Sequence, residues 1–164
     1  METGNLFSFI FLFNLCYTLF MIKKVITQIH IHAPPARIWE ILADTENYTC
    51  WNPFIRKISG KQIPRAYIKL SIAVSPAAVI SLYARLNIFE HGKTISWTGP
   101  FSIPGIFHVE HFFRIAPDGS SSAIFFHEEF FSGAIGLIMG FFVNAKLVHL
   151  YNNMNAALKT RAEQ

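Results

Sequence analysis

The sequence predicts an α+β fold in which a curved antiparallel sheet packs against one long C-terminal helix. Three observations carry this. From Ser132 to Gln164, apolar residues recur at three- and four-residue steps (Ile135, Ile138, Met139, Phe142, Leu150, Met154, Ala157, Leu158), which is one face of a 3.6-residue period. Almost everything between Val25 and Phe131 reads instead as strand. Tight turns join neighbouring strands, His91-Gly92-Lys93 and Pro117-Asp118-Gly119-Ser120 above all, and such turns cannot connect parallel strands. A lone amphipathic helix cannot bury its apolar face by itself, so the helix must lie against the sheet.

The elements follow in order. Lys24 to His32 alternates, with Val25, Thr27, Ile29 and Ile31 on one face, and Pro34-Pro35 ends the strand. Arg37 to Ala43 is a short helix after a proline start. Thr45 to Cys50 is a second short turn, broken at Trp51-Asn52-Pro53 because the residue before proline leaves the helical region. Strands follow at Phe54–Ile63, Tyr67–Val74, Val79–Glu90 and Thr94–Gly99. In the third of these, Ile80, Leu82, Ala84, Leu86 and Ile88 share a face; in the fourth, Ile95 and Trp97 point inward. Pro76 turns the chain between the second and third. A loop spans Pro100 to Gly105. In Ile106–Ala116, Phe107, Val109, His111, Phe113 and Ile115 share a face, and in Ser122–Phe131, Ala123, Phe125, His127, Glu129 and Phe131 do. Pairing through the turn places His111 opposite or next to His127, within the one-residue register uncertainty that would flip every side chain. Lys159 and Arg161 suit the negative end of the terminal helix dipole.

Composition narrows the function. The chain has 164 residues, 52% hydrophobic, with 17 Phe and a formal charge of +4, and a mean hydropathy of +0.33. That is one domain with a real core, and more large apolar side chains than a small core needs hint at a lined cavity. The basic residues are scattered, with no cluster longer than Lys23-Lys24, which argues against nucleic-acid binding and leaves a mild attraction to anionic lipid. Cys16 and Cys50 make neither a metal spacing nor a disulfide framework. Leu6 to Ile22 is an apolar run of 17 residues, against the about 20 that span a bilayer. Two readings of residues 1–21 stand side by side. Either the run anchors the chain in a membrane, with Lys23 and Lys24 placing the domain on the cytoplasmic side, or Met21 is the true start and the domain opens directly at residue 22.

The order of elements, with particular residues in it, resembles the START-like (SRPBCC) superfamily and its polyketide cyclase/dehydratase-like group. The residues that carry the resemblance are Ala33-Pro34 before Ile38-Trp39, then Asp44, Tyr48 and Trp51-Asn52-Pro53-Phe54, later Trp97, His108, His111 and Phe113, and Asp118-Gly119 leading to His127, Glu129 and Phe131-Ser132-Gly133. The helix ending Met154-Asn155-x-Ala157-Leu158-Lys159 completes it, so it covers about Ile22 to Glu163. The resemblance implies a helix-grip fold, seven antiparallel strands wrapped around the C-terminal helix over a deep apolar cavity. It implies binding of a lipid, polyketide or other hydrophobic molecule, with cyclase or dehydratase activity in some members. Fold does not fix which.

The candidate site residues are Trp51, Trp97, His111, Phe113, Phe125, His127, Glu129, Phe131, Phe142 and His149. Two imidazoles and a carboxylate facing a cavity can move protons, orient a ligand's polar end, or simply satisfy one another in the core. Metal ligation by the same three is chemically legitimate, but nothing in their spacing favours it. The Phe residues and Trp97 are wall or filled core, Trp51 a lid at the cavity mouth or a packed turn. His149 and Asn153, one turn apart, either meet a ligand or edge the helix's buried stripe. No phosphate loop, nucleophile elbow or zinc motif occurs, and no cofactor or metal is expected. Three functions fit: a binder of a hydrophobic small molecule or lipid, a cyclase/dehydratase-like enzyme using His111, His127 or Glu129, or a protein-interaction module.

Overall fold

The computed structural model describes residues 22–164 apart from 76, 101 and 104. The apolar leader and the Met21 alternative therefore lie outside the described residues. Seven strands form one antiparallel sheet: β1 (Ile22–Ile31), β2 (Ile55–Gly60), β3 (Tyr67–Ser75), β4 (Ala78–Glu90), β5 (Thr94–Thr98), β6 (His108–Pro117) and β7 (Ala123–Ser132). Their spatial order is β1-β7-β6-β5-β4-β3-β2. Between β1 and β2 come helix α1 (Pro35–Ala43) and a 3-10 turn at Thr45–Cys50, and the chain ends in helix α2 (Ala134–Ala162). This is the α+β helix-grip fold with a curved sheet around the C-terminal helix.

Local chemistry sets these elements. Prolines close β1 and open α1, whose first turn is held by the Pro34 carbonyl accepting from Arg37 N at 2.9 Å. Tyr48 is fully buried and donates its hydroxyl to the Leu42 carbonyl at 2.6 Å, which ties the 3-10 turn to α1. Burial, then the Asp44 charge, pushes the Tyr48 phenol far above its ordinary range. Asn52 is buried and its Oδ1 accepts from Phe54 N and Ile55 N, each at 2.9 Å. The Trp51-Asn52-Pro53 segment is thus a packed turn in which asparagine replaces backbone partners.

The alternation faces inward as expected along β1, β6 and β7: Val25, Thr27, Ile31, His111, Phe113, Ile115, Ala123, Phe125, His127 and Phe131 are all buried. Register pairs His111 with Glu129 and Phe113 with His127, so the two histidines are diagonal neighbours with ring centroids 4.7 Å apart. β4 departs from simple alternation. A bulge between Leu86 and Ile88 adds one residue and shifts the phase. Ile88 consequently points outward and is exposed, while Phe89 turns in against Trp39 at 5.2 Å.

Helix α2 starts where Gly133 takes φ +77 and ψ 160, backbone that only glycine adopts without strain. A side chain there would also meet the Ile106 carbonyl carbon at 2.6 Å. The far end is clamped to β1, because Lys159 Nζ donates to the His30 carbonyl at 2.8 Å and His32 N donates to Glu163 Oε1 at 2.7 Å. The inward stripe is not the expected one. Ile135, Ile138, Met139 and Phe142 are exposed, and the buried positions are Gly136, Gly140, Tyr151, Met154, Asn155, Leu158 and Ala162. Over its first ten residues, 134–143, the helix is apolar all round, so side-chain period cannot choose a face. The choice falls to Gly136, where the backbone approaches β6 so closely that a Cβ would sit 3.3 Å from the His108 carbonyl oxygen.

Candidate functional site

A cavity of about 430 Å³ lies between α2 and the concave face of the sheet. Because α2 approaches β6 and β7 through glycine at its start and through Tyr151 and Met154 later, the strands β2 to β4 on the other side are left unfilled. Leu70, Ile72 and Leu82 line that side, Val143, Leu147 and Leu150 the helix, and Trp97, Val109 and Phe131 the floor. Partly exposed Ile80 and Met139 also line it, so it opens to solvent between the β3–β4 hairpin and the helix.

Four polar side chains stand in this apolar wall: His111, Glu129 and Tyr151 together, and exposed Lys146 on the helix. Tyr151 is fully buried and its hydroxyl donates a short hydrogen bond to Glu129 Oε2. Burial first, and the Glu129 charge next, hold the phenol well above its ordinary range, so it stays a donor. Glu129 Oε1 lies 3.8 Å from His111 Nδ1, too far for a hydrogen bond. His111 stacks flat on Trp97 (4.3 Å, 14°), and its Nε2 is buried with no partner among the described residues.

Behind this wall lies a second polar group whose proton positions follow by elimination. Thr27 Oγ1 is 3.3 Å from the His127 carbonyl, which can only accept. The Thr27 oxygen must therefore accept from Asn155 Nδ2, at 2.9 Å. That turns Asn155 Oδ1 toward His127 Nδ1, at 3.1 Å, so Nδ1 carries the proton. His127 is fully buried; burial, then the His111 charge, depress its pKa well below 6.5, against a smaller opposing pull from Asn155. It is a neutral imidazole whose Nε2 has no partner among the described residues, its ring stacked on Tyr151 at 3.8 Å.

The expected site residues divide accordingly. Trp97, His111, Glu129 and Phe131 reach the cavity wall. Phe113, Phe125 and His127 do not line it and form the packed layer beneath, around the 4.8 Å edge contact of Phe113 with His127. Trp51 is no lid on this cavity; it packs edge-on against Tyr48 at 5.1 Å. Phe142 is not a wall either, being 86% exposed on the outer side of α2. His149 faces a separate outer groove with Arg56 and Asn153, and accepts from Asn153 Nδ2 at 3.1 Å. Sequence reasoning missed Tyr151 and Asn155. Both sit on the phase marked by Gly136, Gly140 and Met154, so the small residues held the signal. Among the described residues no three His, Cys, Asp or Glu groups converge on a metal-sized site.

A family model described as polyketide cyclase / dehydrase and lipid transport matches residues 23–163. The chain belongs to this family. Solved structures agree on the fold of this polyketide cyclase/lipid-transport family member. The ZhuI aromatase/cyclase from Streptomyces sp. R1128 superposes with a TM-score of 0.65 at 14% identity, covering 87% of this chain and 94% of that one. Norcoclaurine synthase from Thalictrum flavum, in complex with dopamine and hydroxybenzaldehyde, gives 0.61 at 10% identity over 85% and 86%. A START superfamily protein from Mycobacterium smegmatis gives 0.60 at 17% identity over 84% and 97%. Among curated proteins none matches this sequence. At such identities the likeness is one of fold: a START-like architecture.

Proposed function

We propose that this protein binds a hydrophobic small molecule or lipid that carries a hydroxyl or similar polar group. The observation that carries this reading is an apolar cavity of about 430 Å³ with a three-residue polar cluster on its wall, within the roughly 300–1,000 Å³ of small-molecule sites. Tyr151 occupies one oxygen of Glu129. The other, Oε1, accepts no hydrogen bond among the described residues and can take one from a ligand hydroxyl. His111 Nε2 offers a second contact. Apolar burial supplies the driving force: about 300 Å² of ligand surface removed from water gives roughly 7 kcal/mol before the costs of ordering. The family description includes lipid transport, and a structural neighbour holds two aromatic small molecules in a related fold.

Native mass spectrometry of protein purified under mild conditions tests this. A small-molecule adduct is expected, lost when Val143→Trp and Leu147→Trp fill the cavity. Bare protein that also ignores cavity-seeking dyes would end the proposal.

A second reading is acid–base catalysis, favoured by His111 Nδ1 at 3.8 Å from Glu129 Oε1. A small shift of either side chain closes that gap, and the pair then relays a proton to a ligand in the cavity. On this reading Glu129→Gln abolishes turnover while the adduct survives. Equal turnover in that variant removes Glu129 from the chemistry.

A further inference from the structure

The outer face of α2 changes character halfway along. Taking about 100° per residue, the solvent-facing positions of its first three turns sweep an arc of roughly 160°. They are Ala134, Ile135, Ile138, Met139, Phe141, Phe142, Ala145 and Lys146, apolar but for the last. In the second half the outward positions are His149, Asn152, Asn153, Ala156 and Thr160, the polar surface a water-facing helix normally shows. Phe142 is 86% exposed, Phe141 68%, Ile138 57% and Ile135 49%. The patch extends past the helix. Exposed Ile103 and Ile106 lie on the loop whose Ile106 carbonyl accepts from Ile135 N at 2.9 Å. Exposed Ile22 pairs with Ser132, just before the helix. A contiguous apolar surface of this kind marks an interaction site.

Charge and chain geometry favour one occupant. Lys23 sits over the Phe141 ring at 4.7 Å, with Lys146 on the opposite rim. No Asp or Glu occurs in β1, in α2 or between Gly99 and Phe107. Apolar residues flanked by these two lysines are complementary to an anionic lipid surface. Although α2 is long and apolar enough to cross a bilayer, its inner stripe is buried in the domain, which favours lying along a membrane over spanning one.

We infer that the first half of α2, with Ile103 and Ile106, is a membrane-docking face that rests on an anionic bilayer. Met139 belongs both to this face and to the cavity lining, so docking presents the cavity mouth at the lipid surface. The docking itself does not depend on what the cavity holds.

Site-specific fluorescence on the full chain tests it. In a Cys16→Ser, Cys50→Ser background, Phe142→Cys carries an environment-sensitive dye. Ala156→Cys, also exposed and on the same helical bearing in the polar half, is the control, and Phe141→Cys is a second reporter should the first perturb folding. Vesicles are phosphatidylcholine alone or with about one-third phosphatidylserine, a typical anionic surface. With the anionic vesicles, the dye at 142 should shift blue, brighten several-fold and be quenched by nitroxide-labelled lipid, while the dye at 156 stays in water. A water-like dye at 142 in the presence of vesicles overturns the inference. So does an apolar environment at 142 before any vesicle is added, which would mean the leader or a second copy covers the face. An equal response to uncharged vesicles overturns the assignment to an anionic surface. Loss of the cavity adduct leaves these readouts unchanged, so failure of one proposal is distinguishable from failure of the other.

Discussion

Asn155 is a single amide that fixes the state of two neighbours. Its oxygen accepts from His127 and its nitrogen donates to Thr27, so Asn155→Leu strands a buried imidazole N–H and leaves the threonine short of a donor. Urea denaturation should register a loss of about 2–3 kcal/mol, the cost of buried polar groups left unpaired. His127 adds a pH signature. Its folded-state pKa lies well below 6.5, so below about pH 6.5 the unfolded chain binds a proton that the folded chain refuses. Stability is then complete above that pH and falls as pH drops, by up to about 1.4 kcal/mol per pH unit, until the folded-state pKa is reached. Urea midpoints between pH 7 and 5 should follow this slope in the wild type and flatten in His127→Gln; an unchanged slope would place the titration elsewhere. At Glu129, Tyr151→Phe removes a hydrogen bond to a carboxylate and should cost about 2 kcal/mol by the same measurement, with the cavity still open.

Element by element, what could be read from the sequence depended on whether the signal was local. The strands were legible because a two-residue alternation and glycine-bearing turns are short-range facts, and the β6–β7 hairpin brought His111, His127 and Glu129 together as its turn required. The β4 bulge was not legible, since Asn87 looks like any polar residue in a strand; its side chain bonds Thr98 and Glu110 at 2.7 and 2.8 Å, partners known only once the strands are paired. The rotation of α2 was hidden for another reason. Its first ten residues are apolar on every side, and what orients it is the closeness of backbone to backbone at Gly133 and Gly136. That yields a prediction about the element. Gly133→Ala combines a glycine-only conformation with a clash against Ile106 and should cost at least about 2 kcal/mol. Ile138→Asn, on the exposed face, should change stability by less than about 0.5 kcal/mol. Thermal melts of the two variants decide whether glycine or the apolar stripe sets the helix face.

At the scale of the whole molecule, the same rotation of α2 that buries Tyr151 and Met154 leaves the space over β3 and β4 open. Val143 and Leu147 face that space across from Leu70 and Leu82, and on the proposed function an occupant adds to the apolar contacts they make with the core. Occupancy of the cavity is then expected to contribute to the stability of the fold. A ligand that binds the folded chain alone adds about 2.7 kcal/mol when present at 100 times its dissociation constant, which for a domain of this size raises Tm by roughly 8 °C. Protein stripped by denaturing extraction and refolded should melt lower than protein purified mildly, and readdition of the extract should restore the difference. The variant with Val143→Trp and Leu147→Trp separates occupancy from refolding damage, because its filled cavity leaves nothing to strip and its Tm should be the same by either route. A stripped wild type that melts where the mildly purified protein does would mean that no occupant contributes to the native state.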